Sequence, residues 1–257
     1  MAAGDGRFVW YELMTTDTAA AKAFYTEVVG WGMQPGPVAG MDYTLLTAGS
    51  VPMAGLMALP EEARAAGAPP HWIGYVGTAD VDASATQARD LGGSIIVPPT
   101  DIPDIGRFAV IADPQGAAIA LFKGTGAMEW EPPARGTPAT FSWHELYATD
   151  WSKAFDFYQA MFGWEKSDAM QTPDMGTYQI FSIGGVPSGG MCNKPAAMPR
   201  AAWLYYAEVE ALDAAVAKVT EGGGSIVLEP MQVPGGGWIV QGRDPQGAAF
   251  ALHAPKR

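Results

Sequence analysis

The sequence predicts an α+β protein of two tandem domains, each built from a pair of βαβββ units. Three observations carry that prediction. The stretch "FVWYELMTTD" at 8–17 returns as "FSWHELYATD" at 141–150. Further on, "GGSIIVPPTDIPDIGRFAVIADPQGAAIALF" returns as "GGSIVLEPMQVPGGGWIVQGRDPQGAAFALH". Inside each half, the order strand, helix, strands then occurs twice.

The first repeat is colinear. Trp10 matches Trp143, Asp17 matches Asp150, Phe24-Tyr25 matches Phe157-Tyr158 and Gly30-Trp31 matches Gly163-Trp164, a constant separation of 133 positions. The second block repeats at 131 positions, from Asp113 to Asp244, so only a few loop residues differ between the copies. A chain of 257 residues can bury a core in each of two such domains. The boundaries read as a first domain at 1–123 (units 1–62 and 69–123), a Gly- and Pro-rich linker at 124–138, and a second domain at 139–257 (units 139–194 and 200–257).

Each element has a local cause. Phe8 to Thr15 alternates as a strand, Asp17 is placed to cap a helix, Phe24/Val28 and Tyr25/Val29 are spaced i,i+4, and Gly30 sits where that helix would stop. "YTLLTAGSVPMAGLM" reads as two strands broken by "GSVP". "HWIGYVGTAD" starts another strand, after which Val81, Ala85 and Ala88 form a helical stripe ending at Gly92-Gly93. The second copy keeps the stripe as Leu212, Ala215, Val216 and Val219, with Ala211 where the first copy has the capping Asp80. "DPQG" is turn chemistry joining two strands, so it is read as structural.

Composition narrows the function. Lys and Arg number 15 against 27 Asp and Glu, a formal net charge of -12, which repels nucleic acid and anionic lipid. The single cysteine, Cys192, excludes an intrachain disulfide and a cysteine-rich metal cluster, and reads as a buried thiol. No basic-then-apolar leader opens the sequence and no apolar run is long enough to span a bilayer, so a cytoplasmic protein is expected, a monomer or homodimer whose partner is a small organic molecule.

The motifs "W-x-E-L…TD…FY…GW" and "DPQGAA[IF]AL", each duplicated in order, resemble those of the vicinal oxygen chelate superfamily, the fold of glyoxalase I, bleomycin-resistance proteins, fosfomycin-resistance enzymes and extradiol dioxygenases. The resemblance covers essentially the whole chain. More narrowly, it extends to two-domain bacterial proteins labelled glyoxalase-like or hydroxylase. It implies that paired units curl a mixed sheet into a cup with helices on the convex side, and that a divalent metal sits on the concave face. In the family's enzymes the ligands come from a first strand, seven residues before the Asp that starts its helix, and from the Glu of "DPxGxxxE". Those positions hold Trp10, Trp143, Ile73, Leu204, Ala120 and Ala251 here. None offers a lone pair to a metal. The expectation is therefore no metal, no cofactor and a cup walled by the tryptophans.

Strand parity then nominates the lining. Trp10, Glu12 and Met14 share a face, as do Trp143, Glu145 and Tyr147, while Tyr11, Leu13, His144 and Leu146 point toward the helices. Ala118, Ala120 and Phe122 share parity on the last strand of the first half, and Ala249, Ala251 and His253 on that of the second. Tyr75 and Tyr206 are placed inward too. The expected ligand-binding set is thus Trp10, Glu12, Met14, Tyr75, Trp143, Glu145, Tyr147, Tyr206 and His253, with Glu145 and His253 as catalytic candidates. Alternatives stay open. The tryptophans could fill core, and the two glutamates could be structural acceptors. The leading expectation is metal-free binding of an aromatic or carbonyl compound in an apolar cup. The first alternative is a glyoxalase-like lyase or isomerase, or a hydroxylase-type enzyme, with Glu145 as acid and base and His253 assisting, although no residue is nominated to stabilise an oxyanion. The second is a protein-interaction module.

Overall fold

The computed structural model describes residues 6–37, 40, 42–126, 133–172 and 176–257. Four βαβββ units follow one another. The first holds β1 (Phe8–Thr15), α1 (Thr18–Val29), β2 (Gly32–Pro35), β3 (Tyr43–Ala48) and β4 (Val51–Ala58), then a short α2 (Glu61–Ala65). The second holds β5 (His71–Gly77), α3 (Val81–Asp90), β6 (Ser94–Ile102), β7 (Gly106–Ala112) and β8 (Ala118–Gly124). The third holds β9 (Phe141–Ala148), α4 (Trp151–Phe162), β10 (Glu165–Thr172), β11 (Gly176–Ile183) and β12 (Val186–Asn193). The fourth holds β13 (Ala202–Glu208), α5 (Leu212–Glu221), β14 (Ser225–Gln232), β15 (Trp238–Arg243) and β16 (Ala249–Ala254).

Two eight-stranded sheets result, ordered β2-β3-β4-β1-β5-β8-β7-β6 and β10-β11-β12-β9-β13-β16-β15-β14. Both are mixed. Within each unit the first strand lies parallel to the last, as β1 with β4, β5 with β8, β9 with β12 and β13 with β16. The remaining pairs inside a unit are antiparallel hairpins, such as β3 with β4 and β15 with β16. The expected α+β class and the four units are therefore present. One strand break is narrower than expected: Val51 and Pro52 of "GSVP" already belong to β4, and Gly49, at φ 59, and Ser50 make the turn. The five-residue α2 has no hydrophobic stripe, which is why periodicity did not reveal it. Of the linker at 124–138, residues 127–132 lie outside the described residues.

The caps explain where the helices begin and end. Asp17, Asp80 and Asp150 each accept a hydrogen bond from a first-turn backbone N–H, whereas Ala211 at the start of α5 has no side chain to offer. Gly30 and Gly163 close α1 and α4 in the left-handed region, at φ 84 and 68, which a side chain would disfavour. The tryptophan after each glycine is buried, and its indole N–H donates to a backbone carbonyl: Trp31 to Ala139 and Trp164 to Gly6, both at 2.7 Å.

By compactness the chain divides into one unit of Met1–Val9, Ile73–Trp130 and Trp143–Leu204 and another of Trp10–Trp72, Glu131–Ser142 and Tyr205–Arg257. A buried three-residue relay ties each together. In the second, Trp72 Nε1 donates to Tyr25 Oη at 2.9 Å, and that hydroxyl donates to Asp244 Oδ2 at 3.1 Å. In the first, Trp203 Nε1 donates to Tyr158 Oη at 2.9 Å, which donates to Asp113 Oδ2 at 3.2 Å. The other carboxylate oxygen of each aspartate accepts two backbone N–H groups of its own turn, Gln115 and Ala117 for Asp113 and Gln246 and Ala248 for Asp244. The "FY" and "DPQG" motifs thus meet: the tyrosine of one βαβββ unit binds the turn aspartate of another. Burial pushes the carboxyls of Asp113 and Asp244 above their usual range, and the backbone N–H bonds oppose it.

Candidate functional site

Trp10 and Glu12, two residues apart on β1, are joined by a residue from β3. The Trp10 indole donates to Tyr43 Oη at 3.0 Å, and that hydroxyl donates to Glu12 Oε2 at 2.9 Å. Glu12 is paired in register with Gly55 of the parallel β4. A Cβ on Gly55 would lie only 1.7 Å from Tyr43 Oη, so only glycine lets the phenol lie across that strand and reach the carboxylate.

The third unit builds the same cluster. The Trp143 indole donates to Tyr178 Oη at 2.8 Å, and Tyr178 is hydrogen-bonded to Glu145. Glu145 is paired with Gly190, where a Cβ would meet the Tyr178 ring at 2.2 Å. Both glutamates are buried, Glu12 at 8% and Glu145 at 5% exposure. Burial first, and the adjacent glutamate second, hold both phenols far above the usual tyrosine range, so each keeps its proton at neutral pH. The result is an indole, a phenol and a carboxylate tied together by hydrogen bonds. Tyr43 and Tyr178 were missing from the sequence reading, which weighed only the first and last strands of each unit. Their signal was nonetheless present, because "YTLLTAGSVPMAGL" and "YQIFSIGGVPSGGM" repeat at 135 positions.

The other expected residues fall as follows. Met14 is half-buried beside Met57, and Tyr147 is buried on β9 beside Cys192. The Cys192 thiol is pushed well up by burial and then by the charge of Glu145, which makes it a packed thiol rather than a nucleophile. His144 is buried, stacked on Phe8 at 3.8 Å between ring centroids, with Nδ1 2.7 Å from the Ser188 carbonyl, which is the core role parity assigned to it. Tyr11 stacks likewise on Phe141 at 3.9 Å.

The second and fourth units share a frame but not a chemistry. Tyr75 is paired with Ala120 and packs against Phe108 and Phe122. Its counterpart Tyr206 is paired with Ala251 and accepts a hydrogen bond from Gln241 Nε2 at 2.7 Å. Two residues along, His253 Nδ1 lies 2.8 and 2.9 Å from the two oxygens of Glu208, which is 2% exposed. Glu208 and Gln241 were not nominated from sequence, since their counterparts Gly77 and Val110 carry no polar side chain. Glu145 and His253 belong to different compact units, each with its own partner there, Tyr178 and Glu208.

The residues at the positions where this fold implies a metal do not fit one. Trp10 and Trp143 present indole N–H groups already spent on phenols, and Ile73, Leu204, Ala120 and Ala251 present only hydrocarbon. Among the described residues no three of His, Cys, Asp and Glu gather as a ligand set. No described helix is long and apolar enough to cross a membrane.

A family model described as the Glyoxalase/Bleomycin resistance protein/Dioxygenase superfamily matches residues 7–121 and 140–252. The protein CFP32 of Mycobacterium tuberculosis, whose name includes the word glyoxylase, is 33% identical over 96% of this chain and 94% of its own length. The anthracycline biosynthesis protein DnrV of Streptomyces peucetius is 31% identical over 96% of this chain and 92% of its own. Among solved structures, the Mn(II)-bound glyoxalase of Novosphingobium aromaticivorans superposes with a TM-score of 0.64 at 17% identity, covering 97% of this chain and 81% of that one. The 2,3-dioxygenase LapB of Pseudomonas sp. KL28 does so at 0.66 and 12%, covering 99% and 93%. At those identities the structures establish a shared fold.

Proposed function

Because this chain belongs to the Glyoxalase/Bleomycin resistance protein/Dioxygenase superfamily, we propose that it uses the fold to bind a small, planar organic molecule, aromatic or carbonyl-bearing, without a metal. The duplicated Trp–Tyr–Glu cluster carries this reading. It sets an indole at a position where the resemblance implies a metal ligand, and a hydrogen-bonded carboxylate two residues along the same strand, in both the first and third units. A preorganised aromatic surface with a few fixed polar groups suits a planar ligand, because little side-chain entropy is lost on binding. The relative named for anthracycline biosynthesis supports the same ligand class, since anthracyclines are fused-ring aromatics. The net charge of -12 argues against nucleic acid and anionic membrane as partners.

Titration with a planar quinone, followed by tryptophan fluorescence, tests the proposal. Saturable quenching is expected, with Trp10→Phe and Trp143→Phe each removing part of the signal. Saturable binding seen by calorimetry but leaving fluorescence unchanged in the wild type would return both tryptophans to core packing.

A second reading is enolisation next to a carbonyl, with Glu145 moving the proton. It is favoured by the fixed position of the Glu145 carboxylate, which the Tyr178 hydroxyl holds on its strand face. Deuterium exchange at the α-carbon of an added 2-oxoaldehyde, lost in Glu145→Gln, is its signature.

A further inference from the structure

We infer that the Glu208–His253 pair, with Tyr206 and Gln241 beside it on one face of β13, β16 and β15, accepts a proton from an ionisable hydroxyl, phenolic or enolic, of the bound molecule. The inference rests on the ligand-binding reading above and deepens it by naming the ligand's acidic group. Register sets the face: Tyr206 is paired with Ala251 and Glu208 with His253, while on the other side Gln241 is paired with Ala251 and Ile239 with His253. Tyr205, Ala207, Phe250 and Leu252 take the opposite parity and, with Tyr25, line the apolar interior of the same compact unit.

Both oxygens of a buried carboxylate on Nδ1 assign the hydrogen to that nitrogen and leave the Nε2 lone pair as the basic position. The histidine side chain is 29% exposed and the Glu208 side chain 2%, so the carboxylate is reached through the imidazole. Nε2 lies against the backbone of Gly237, where a Cβ would stand 2.2 Å away, so only glycine leaves room for the ring there. Glu208 is the charged side chain that bonds the ring, and the facing residues on the β15 side, Gly237 and Ile239, carry no charge.

The fold does not require this chemistry. At the same positions 131 residues earlier the first half has Gly77, Phe122 and Val110, and the Phe122 ring lies on Gly106 as His253 lies on Gly237. A buried carboxylate costs stability unless paired, and the first half avoids the cost with glycine and phenylalanine. The proton of the ligand's hydroxyl passes to Nε2, leaving a ligand oxyanion beside an imidazolium whose charge Glu208 balances. No bond to carbon forms or breaks, and nothing is oxidised or reduced.

The test uses 1,2-dihydroxyanthraquinone, whose visible band shifts when a phenol ionises, with unsubstituted anthraquinone as control. At saturating full-length protein, the bound dihydroxy dye is expected to ionise about one pH unit below the free dye, a roughly tenfold shift in the ionisation equilibrium. His253→Phe, which installs the first half's residue, and His253→Gln, which stays polar but cannot accept the proton, should both abolish the shift. Glu208→Gln should reduce it by releasing the tautomer. Melting curves confirm that each variant is folded. If both dyes bind the wild type and the dihydroxy dye shows no shift, or if the shift survives in the folded His253 variants, this inference fails while the ligand-binding reading stands. If neither dye binds, both fail.

Discussion

The Trp–Tyr–Glu clusters of the first and third units and the strand faces of the second and fourth make an instructive pair. The clusters agree residue for residue: an indole on a phenol, a phenol on a buried glutamate, and a glycine under the ring. The other two faces agree in backbone and differ in substance, with Phe122, Gly77 and Val110 in one and His253, Glu208 and Gln241 in the other. A duplicated scaffold can therefore hold one buried polar network fixed while an equivalent face loses or gains ionisable groups. Satisfied networks are hard to alter singly, because each deletion strands a partner, whereas a face of separate side chains changes one residue at a time.

The comparison breaks first at the glycines. Gly55→Ala and Gly190→Ala should each expel the phenol from the carboxylate, combining overpacking with stranded polar groups, at about 3 kcal/mol. Urea unfolding of the two variants should give similar losses. A loss confined to one would mean that the clusters are not equivalent. Tyr43→Phe and Tyr178→Phe come next, at roughly 1–3 kcal/mol each, since the indole and the glutamate both lose a partner while the ring packing stays.

The relay aspartates sharpen the comparison through pH. Burial raises the folded-state pKa of Asp113 and Asp244 above the ordinary 3.8, so folding favours their protonated forms. Their contribution is fully present below the unfolded value and is lost as pH rises through the folded one. Against Asp113→Asn or Asp244→Asn, the wild type should gain relative stability as pH falls toward that range. Thermal melts across the acidic range read the difference, which should be alike for the two sites. Smallest of all, Ala211→Asp should give α5 the cap that α1, α3 and α4 possess, stabilising by about 0.5–1 kcal/mol.

Much of this was legible in the sequence because duplication doubles every signal. The capping aspartates, Gly30 and Gly163, and the four strand-first units all follow from short-range patterns that appear twice. Strand parity also put Trp10 with Glu12 and sent His144 to the core. What parity could not supply was the third member of each cluster, because Tyr43 and Tyr178 arrive from a hairpin strand and reach the glutamate only across a glycine. Nor could it pair Glu208 with His253, since that contact runs between strands 45 residues apart and has no counterpart in the first half to flag it. The Tyr25–Asp244 and Tyr158–Asp113 bonds escaped for a like reason, being contacts between units whose motifs each looked purely local.

We propose that this family member binds a planar organic molecule through aromatic and carboxylate groups and needs no metal to do so. Isothermal calorimetry of chelator-treated protein with a planar quinone, repeated with added zinc and manganese, addresses it most directly. Saturable binding is expected after chelation, with an affinity that neither metal changes and that Trp143→Phe weakens about tenfold. Binding that disappears on chelation and returns with one equivalent of metal would contradict it.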